Sequence, residues 1–259
     1  MFLAIDVGNT QSTLGLFDDE GQLAKGWRMT SNASDTSDML DARLFSYFLK
    51  DGYELADVSA AAVASVVPAL TRAWWRCLGD LLGRSPLLVN ATHDYGMPID
   101  MPNPRTVGAD RIANAIAARN AYGSPVIVVD FGTATNIDVV DDRGAYRGGA
   151  ISPGLMLSAN ALFSKAAKLA SIPVEAPEHA LGDTTETAMQ SGLVIGAAAQ
   201  AEGLVSRMKA ELGIEQAKVI GTGGLARTVS RATDLFDAVD PTLTLRGIRE
   251  IWLQQHGGA

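Results

Sequence analysis

The chain has 259 residues, of which 47% are hydrophobic and 19% are charged, as in ordinary globular proteins. Its 21 basic and 29 acidic residues leave a formal charge of −8, so we expect no nucleic acid partner, because such binding depends on Lys and Arg. The single cysteine, Cys77, excludes an internal disulfide and a thiolate zinc cluster.

Apolar segments of two kinds alternate along the chain. Runs typical of strands and helical spacings follow one another, which favours an α/β architecture. Strands are predicted at 2–5, 14–17, 58–67, 87–89, 126–129 and 219–220, and helices at 40–48, 70–81, 108–119 and 155–166. The proline-rich stretch 90–105 is predicted to be an ordered loop. Cys77 falls in the helical spacing of 70–81, which favours a plain core thiol. The N-terminus has neither a basic region nor a long apolar run, so we expect a cytoplasmic protein without a membrane span.

The two halves of the chain resemble each other. The run Asp6-Val7-Gly8 can be laid over Asp130-Phe131-Gly132, and residues 14–21 match 137–144 once one residue is skipped in the first copy. Both copies therefore predict a strand, an Asp-x-Gly turn, a second strand and an acidic turn with glycine. A repeat of this length indicates two related domains. The alternative is two unrelated hairpins that share their turn chemistry.

The Asp-x-Gly turns carry the first candidate chemistry. A carboxylate at the end of a buried strand is costly unless it is paired or near a metal, and glycine allows backbone N–H groups to approach a ligand closely. Thr10, Ser12 and Thr13 add hydroxyl groups beside the first turn. This combination suits a polyphosphate with Mg²⁺. One such turn alone is equally typical of an ordinary hairpin.

Two further segments are candidates for binding or catalysis. Gly221–Gly224 follows an apolar strand and precedes a predicted helix from Leu225, a geometry that suits a nucleotide but also serves plain packing. Asp110 lies at a predicted helix start after Gly108-Ala109, next to Arg111. It is either a helix cap or a base for a substrate hydroxyl, with Arg111 binding an anionic group.

Taken in order, these motifs resemble type III pantothenate kinase, a family of the acetate kinase, sugar kinase and actin superfamily. The resemblance covers essentially the whole chain. The segments that carry it are 6–10, 65–68, 103–105, 108–111, 130–135, 148–149, 153–154, 189–192 and 222–224.

The resemblance implies two ribonuclease-H-like domains of the duplicated actin-like ATPase fold, which we place at 1–115 and 116–259, with the nucleotide in a cleft between them. It implies transfer of the ATP γ-phosphate to the hydroxyl of pantothenate, the first step of coenzyme A biosynthesis. It also implies a homodimer. Mg²⁺ and a monovalent cation, K⁺ or NH₄⁺, are the expected cofactors.

The resemblance also implies roles for individual residues. Asp110 would be the general base, Asp130 would hold K⁺, and Asp6 would contact Mg²⁺ through water. The ATP contacts it implies are Asp6, Val7, Gly8, Asn9, Thr10, Gln11, Ser12, Thr13, Thr133 and Gly223. The substrate contacts it implies are Gly108, Ala109, Asp110, Arg111 and Thr185.

Two positions depart from the family pattern. Met101 stands where family members often carry a substrate-contacting Tyr, and Asn136 replaces a common Thr. The first departure bears on substrate identity. Two other functions remain open at this point: a superfamily kinase for a sugar or a carboxylate, and a nucleotide-binding regulator without turnover.

Overall fold

The structure is a computed structural model, and it describes residues 1–165 and 171–257. The strands are β1 (Phe2–Val7), β2 (Gln11–Phe17), β3 (Leu23–Thr30), β4 (Ala60–Ser65), β5 (Leu87–Val89), β6 (Val126–Phe131), β7 (Ala134–Val140), β8 (Tyr146–Pro153), β9 (Lys218–Thr222) and β10 (Ala238–Val239). The α-helices are α1 (Ser37–Asp51), α2 (Pro68–Leu82), α3 (Ala109–Tyr122), α4 (Leu155–Lys165), α5 (Thr185–Gln190), α6 (Gly196–Leu212), α7 (Ala226–Val229) and α8 (Leu243–His256). The predicted helix 155–166 ends at Ala166, which lies outside the described residues.

The described strands form two five-stranded sheets with the same order. The first runs β3-β2-β1-β4-β5 and the second runs β8-β7-β6-β9-β10. In both, the first three strands of the copy are antiparallel and the last two run parallel to the central strand. The predicted duplication of an α/β unit is therefore confirmed at the level of topology.

The strand register confirms the repeat residue by residue. Asp6 pairs with Thr13 on β2, and Asp130 pairs with Asn136 on β7, so the first hairpin is one residue longer. This is the residue that the sequence comparison skipped. The register of the following strand shifts at Leu16/Phe17 in one copy and at the equivalent Val139/Val140 in the other.

Unit 1 consists of Met1–Gly96, Asn103–Ala117 and Leu243–Ala259. Its core joins alternate residues of β1 and β2 to α1 and α2, because successive strand side chains point to opposite faces. Leu3 and Ile5 pack with the buried side chains Leu44 and Trp74 of these helices. Cys77 lies in the same core, and burial raises the pKa of its thiol to about 12. The predicted core thiol is confirmed.

Helix α8 packs against strands of the same sheet. The ring centroids of Trp252 on α8 and Phe2 on β1 are 5.1 Å apart. Phe2 is next to Leu3 in the strand, so its side chain points to the face of the sheet opposite α1 and α2. Thr244 at the start of α8 donates to the side chain of Asn114 on α3 at 2.8 Å. The last helix of the chain thus completes the first unit.

Unit 2 consists of Met97–Pro102 and Ala118–Thr242. Its core repeats the plan of unit 1, with alternate residues of β6 and β7 packed against helices. The buried residues shared by these strands and helices include Ile127, Val129, Ile137, Leu155 and Val194. Beside the expected domains at 1–115 and 116–259, α8 joins unit 1 with its apolar side buried, and residues 97–102 join unit 2.

Candidate functional site

The first Asp-x-Gly turn closes the β1–β2 hairpin. Asp6 is half-buried in the last part of β1, between β2 and β4. The Gly8 N–H donates to the carbonyl of Gln11 at 3.0 Å, which folds the turn tightly. Asn9, Thr10 and Gln11 are exposed. The turn therefore presents backbone and polar side chains beside a carboxylate.

Ser12 has a different environment from its neighbours in the turn. It is 1% exposed, and its Oγ lies 2.8 Å from Oγ of Ser31. Ser31 in turn donates its N–H to the carbonyl of Thr10 at 2.9 Å. The Ser12 hydroxyl is thus engaged in supporting the turn, whereas Thr13 is half-buried on the next position of the strand.

Asp110 lies in the first turn of α3. Burial raises the pKa of its carboxyl group above the usual 3.8, although the backbone N–H groups of Arg111 and Asp110 and the charge of Arg111 oppose this. Oδ1 of Asp110 is buried and accepts no hydrogen bond from the described part of the chain. The carboxylate thus accepts backbone N–H groups at the helix start, as the predicted cap would, while Oδ1 has no donor among the described residues.

The start of α3 lies at the same edge of the sheet as the first turn. A Cβ at Gly108 would lie 3.7 Å from Cγ1 of Val66, and the Val66 N–H donates to the carbonyl of Val7 at 3.1 Å. The same Cβ would lie only 2.4 Å from Oδ1 of Asp110. Glycine at this position therefore leaves room for the carboxylate beside the strand ends.

The second Asp-x-Gly turn is enclosed by backbone from two other segments. Asp130 on β6 pairs with Thr222 of β9, as Asp6 pairs with Ala64 of β4. The carbonyl of Thr133 accepts the N–H of Gly154 at 3.1 Å, and the carbonyl of Phe131 accepts that of Leu225 at 3.3 Å. Carboxylate and carbonyl oxygens of unit 2 therefore meet at this turn.

Gly223 lies close against the second turn. Its φ is +91°, in the left-handed region that side chains rarely adopt, and a Cβ there would lie 2.3 Å from Oδ1 of Asp130. The helix expected after it, α7, has only 4 residues. The predicted helix is thus present but short, and close backbone approach explains the glycine.

Thr185 lines a cavity within unit 2. The cavity has a volume of about 520 Å³, and Leu162, Thr185, Ala188, Met189, Gly192 and Leu193 line it. Thr184 caps α5 by accepting the N–H of Thr187, while the Thr187 hydroxyl accepts the N–H of Thr184. A π-helical turn, Ser191–Ile195, continues the helix along the cavity wall. The cavity is mainly apolar with a threonine hydroxyl at its edge.

The sequence interpretation missed one charged cluster. The cluster lies in unit 2 and consists of Asp100, Asp141, Arg143 and Arg147. Asp100 and Arg143 are 43 positions apart in the sequence. The only available signal was the acidic turn that ends in Gly144, which the repeat had indicated. Nothing in the sequence joined it to Asp100.

Residues 1–165 and 171–257 contain no group of three or more His, Cys, Asp and Glu side chains that could hold a metal ion. Among the helices of the same ranges, none has the length and apolar character that crossing a bilayer requires.

Comparison with known proteins identifies the family. The sequence model described as type III pantothenate kinase matches residues 2–207. A type III pantothenate kinase from Moorella thermoacetica is 42% identical over 252 residues, covering 97% of this chain and 98% of the relative. One from Agathobacter rectalis is 41% identical over 256 residues, covering 99% of this chain and 98% of the relative.

The chain belongs to the type III pantothenate kinase family. It is therefore an ATP-dependent kinase, and the resemblance stated from its motifs is confirmed.

Solved structures agree with the fold of this type III pantothenate kinase family member. The activator of the 2-hydroxyisocaproyl-CoA dehydratase from Clostridium difficile, solved with bound ADPNP, has a TM-score of 0.58 and 12% identity. The match covers 98% of this chain and 94% of that structure. Together with the two equal sheets, such neighbours confirm the predicted duplicated actin-like ATPase fold.

The donor groups at the second turn fit a hard monovalent cation. A Cβ at Gly223 would lie 2.3 Å from Oδ1 of Asp130, so the glycine leaves space beside this carboxylate oxygen. Hard cations prefer such oxygens.

Proposed function

We propose that the protein transfers the γ-phosphate of ATP to the hydroxyl of pantothenate and forms 4′-phosphopantothenate, the first step of coenzyme A biosynthesis. The observation that carries this proposal is Oδ1 of Asp110, a buried carboxylate oxygen without a hydrogen-bond donor in the described chain, at the strand edge that holds the first turn. Membership of the type III pantothenate kinase family supports the acceptor.

Asp110 acts as the general base. The acceptor oxygen attacks the γ-phosphorus, the bond to the β-phosphate oxygen breaks, and the hydroxyl proton passes to Asp110 as ADP leaves. Because an alcohol loses its proton late in such a transfer, a carboxylate of modest basicity suffices. Burial, which raises the pKa of Asp110, moves its basicity toward that of a better acceptor.

Residues of the first turn bind the ATP phosphates. Residues Asp6 to Thr13 are proposed to surround them, with the exposed Asn9, Thr10 and Gln11 of the turn facing the phosphates. Ser12 is proposed to take part through the turn, which its buried hydroxyl supports by contacting the Ser31 hydroxyl. Thr133 and Gly223 are proposed as further ATP contacts, since Thr133 is exposed and Gly223 lies against Asp130.

Cations offset charge in an acidic protein. Mg²⁺ bound to the phosphates, with Asp6 in its water shell, and K⁺ or NH₄⁺ at Asp130 would neutralise negative charge that develops during transfer. Arg111 is proposed to bind the pantothenate carboxylate or amide, and Gly108 and Ala109 to line the same site. The half-buried guanidinium of Arg111 is one residue from the base, which supports this assignment.

We propose that Thr185 belongs to the acceptor site. We also propose that the enzyme is a homodimer. The cavity that Thr185 lines, of about 520 Å³, falls in the range of small-molecule sites, and its apolar walls suit a branched alkyl chain. We also propose that the enzyme acts in the cytoplasm, where its co-substrate ATP is available.

A coupled assay of ADP release tests the proposal. Wild type is measured with ATP and pantothenate, with and without K⁺, beside a panel of sugars and carboxylates. We expect turnover with pantothenate, stimulated by K⁺. ATP hydrolysis or transfer only to another acceptor would refute pantothenate as substrate, and ATP binding without ADP formation would indicate a regulator.

A further inference from the structure

Residues Met97–Pro102 form an excursion of the chain, which we call the strap. By its contacts the strap belongs to unit 2, whereas the chain up to Gly96 and again from Asn103 to Ala117 belongs to unit 1. The strap is therefore the covalent entry to the segment that carries Gly108 and Asp110. The contacts of the strap therefore bear on the position of residue 103, where the Asp110 segment begins.

Backbone hydrogen bonds fix the strap to the edge of β8. The Tyr146 N–H donates to the carbonyl of Pro98 at 2.8 Å, and the Asp100 N–H donates to the carbonyl of Tyr146 at 2.9 Å. Ile99 and Tyr146 form a parallel bridge between these two bonds. Tyr146 is itself fully buried, and its hydroxyl donates to Asp138 at 2.6 Å. The strap thus extends the second sheet by a short strand.

In addition to the backbone hydrogen bonds, ion pairs among four charged side chains hold the strap in place. Oδ2 of Asp100 lies 3.5 Å from Nη2 of Arg143 and 3.4 Å from Nε of Arg147. The same two arginines contact Asp141 at 3.1 and 3.2 Å. We call these residues the charge cluster. Its arginines bridge the strap to the β7–β8 turn.

Asp141 is the buried base of the charge cluster. Its side chain is 4% exposed and accepts the N–H of Ala145 at 2.9 Å. Burial alone would raise the pKa of Asp141, but the bonds from Ala145, Arg143 and Arg147 outweigh it and lower the pKa below 3.8. The carboxylate therefore stays ionised and holds both arginines in place.

The same turn also contacts the chain beyond the catalytic segment. A Cβ at Gly144 would lie 3.5 Å from Cδ of Arg119, which is in the part of α3 that belongs to unit 2. The β7–β8 turn therefore touches the chain both before and after residues 103–117.

We propose that the charge cluster positions the base: Asp100 is a positioning residue that fixes the start of the Asp110 segment through the β7–β8 turn of unit 2. This rests on the proposed role of Asp110. Arg143 and Asp100 are 66% and 58% exposed, so their ion pair contributes little to global stability. A displacement of a catalytic group by about 1 Å can nevertheless reduce turnover about 100-fold.

The test compares Asp100→Asn with Asp142→Asn. Asp142 is exposed in the same turn, outside the contacts of the charge cluster, so its variant makes the same charge change without breaking them. For Asp100→Asn we expect kcat to fall about tenfold while the KM for ATP stays within about twofold. Amide hydrogen exchange in residues 103–108 should accelerate. Asp100→Glu should recover most of the turnover, and Asp142→Asn should match wild type.

Two outcomes overturn the proposal: an unchanged exchange rate in residues 103–108, or an unchanged kcat despite faster exchange. A wild type without pantothenate-dependent ADP release would refute the proposed function, which is a different result. In that case the exchange comparison still decides whether the charge cluster holds the Asp110 segment.

Discussion

Asp110 must satisfy two opposing demands at the scale of a single residue. A base has to be ionised to accept a proton, yet burial favours its neutral form and raises its pKa. Below the ordinary pKa of 3.8 the carboxyl is protonated in both the folded and the unfolded chain. Above the raised folded value the ionised group lowers the free energy of unfolding. The stability that protonation favours is thus lost as the pH rises through this window.

We therefore expect Asp110→Asn to separate activity from stability. Turnover should fall by about 100-fold or more, the usual contribution of a general base. The melting temperature should equal or exceed that of wild type at neutral pH, and the difference should grow as the pH rises from 3.8. Coupled ADP release and thermal unfolding across pH 3.5–8, roughly the range of carboxyl titration, measure both. Full turnover in this variant would contradict Asp110 as the base.

Gly108→Ala tests the space around the same carboxylate. The added Cβ would lie 2.4 Å from Oδ1 of Asp110, so the carboxylate has to move. We expect kcat to fall about tenfold with little loss of stability, since the group that gives way is a side chain. Gly79→Ala is the matched control, because its Cβ meets no atom within 4 Å and lies in helix α2. It should retain turnover and gain about 0.5–1 kcal/mol of stability. Equal kinetics in the two variants would exclude the steric explanation.

At the scale of elements, the two hairpins were predictable and their third strands were not. Strongly apolar strands and the Asp-x-Gly turns give local signals, and the skipped residue was read from the sequence and found in the register. The alternating exposure of β3, with Trp27 and Met29 inward and Arg28 and Thr30 outward, gave a weaker pattern. No strand was predicted at β8, Tyr146–Pro153, because the glycines at 148 and 149 are weak strand formers. Gly149 stands there because a Cβ would collide with the backbone of Ile137.

Gly223→Ala tests whether the second Asp-x-Gly turn requires a glycine beside it. Its φ of +91° makes any side chain strained, at a cost of about 1–3 kcal/mol, and the added Cβ meets both Asp130 and the backbone of Phe131. We expect a lower urea midpoint and a higher KM for ATP. Gly224→Ala is the control, since no atom lies within 4 Å of its Cβ and its φ is outside the left-handed region. A Gly223→Ala protein with the midpoint and KM of wild type would contradict this reading of the turn.

At the scale of the whole molecule, the duplication was predictable but the path of the chain was not. Local patterns identify strands and helices, whereas the sheet that a late helix covers is decided by long-range packing. Nothing in residues 243–256 indicates that they return to the first unit. The same holds for the candidate site. Asp110 was found from its local motif, whereas Asp100 contacts Arg143 across 43 positions of sequence, which no local pattern shows.

Because α8 packs in unit 1, we expect the stability of that unit to depend on this last helix. Leu243, Leu245, Ile248 and Ile251 are at most 4% exposed. Burial of each such side chain contributes roughly 1.5–3 kcal/mol, so their sum approaches the total stability of about 5–15 kcal/mol for a typical protein. A chain ending at Thr242 should lose the hydrogen-exchange protection of β1 and β4 and all turnover. A chain ending at His256 is the control and should behave as wild type. Protection of β1 retained without α8 would show that the first unit folds from residues 1–117 alone.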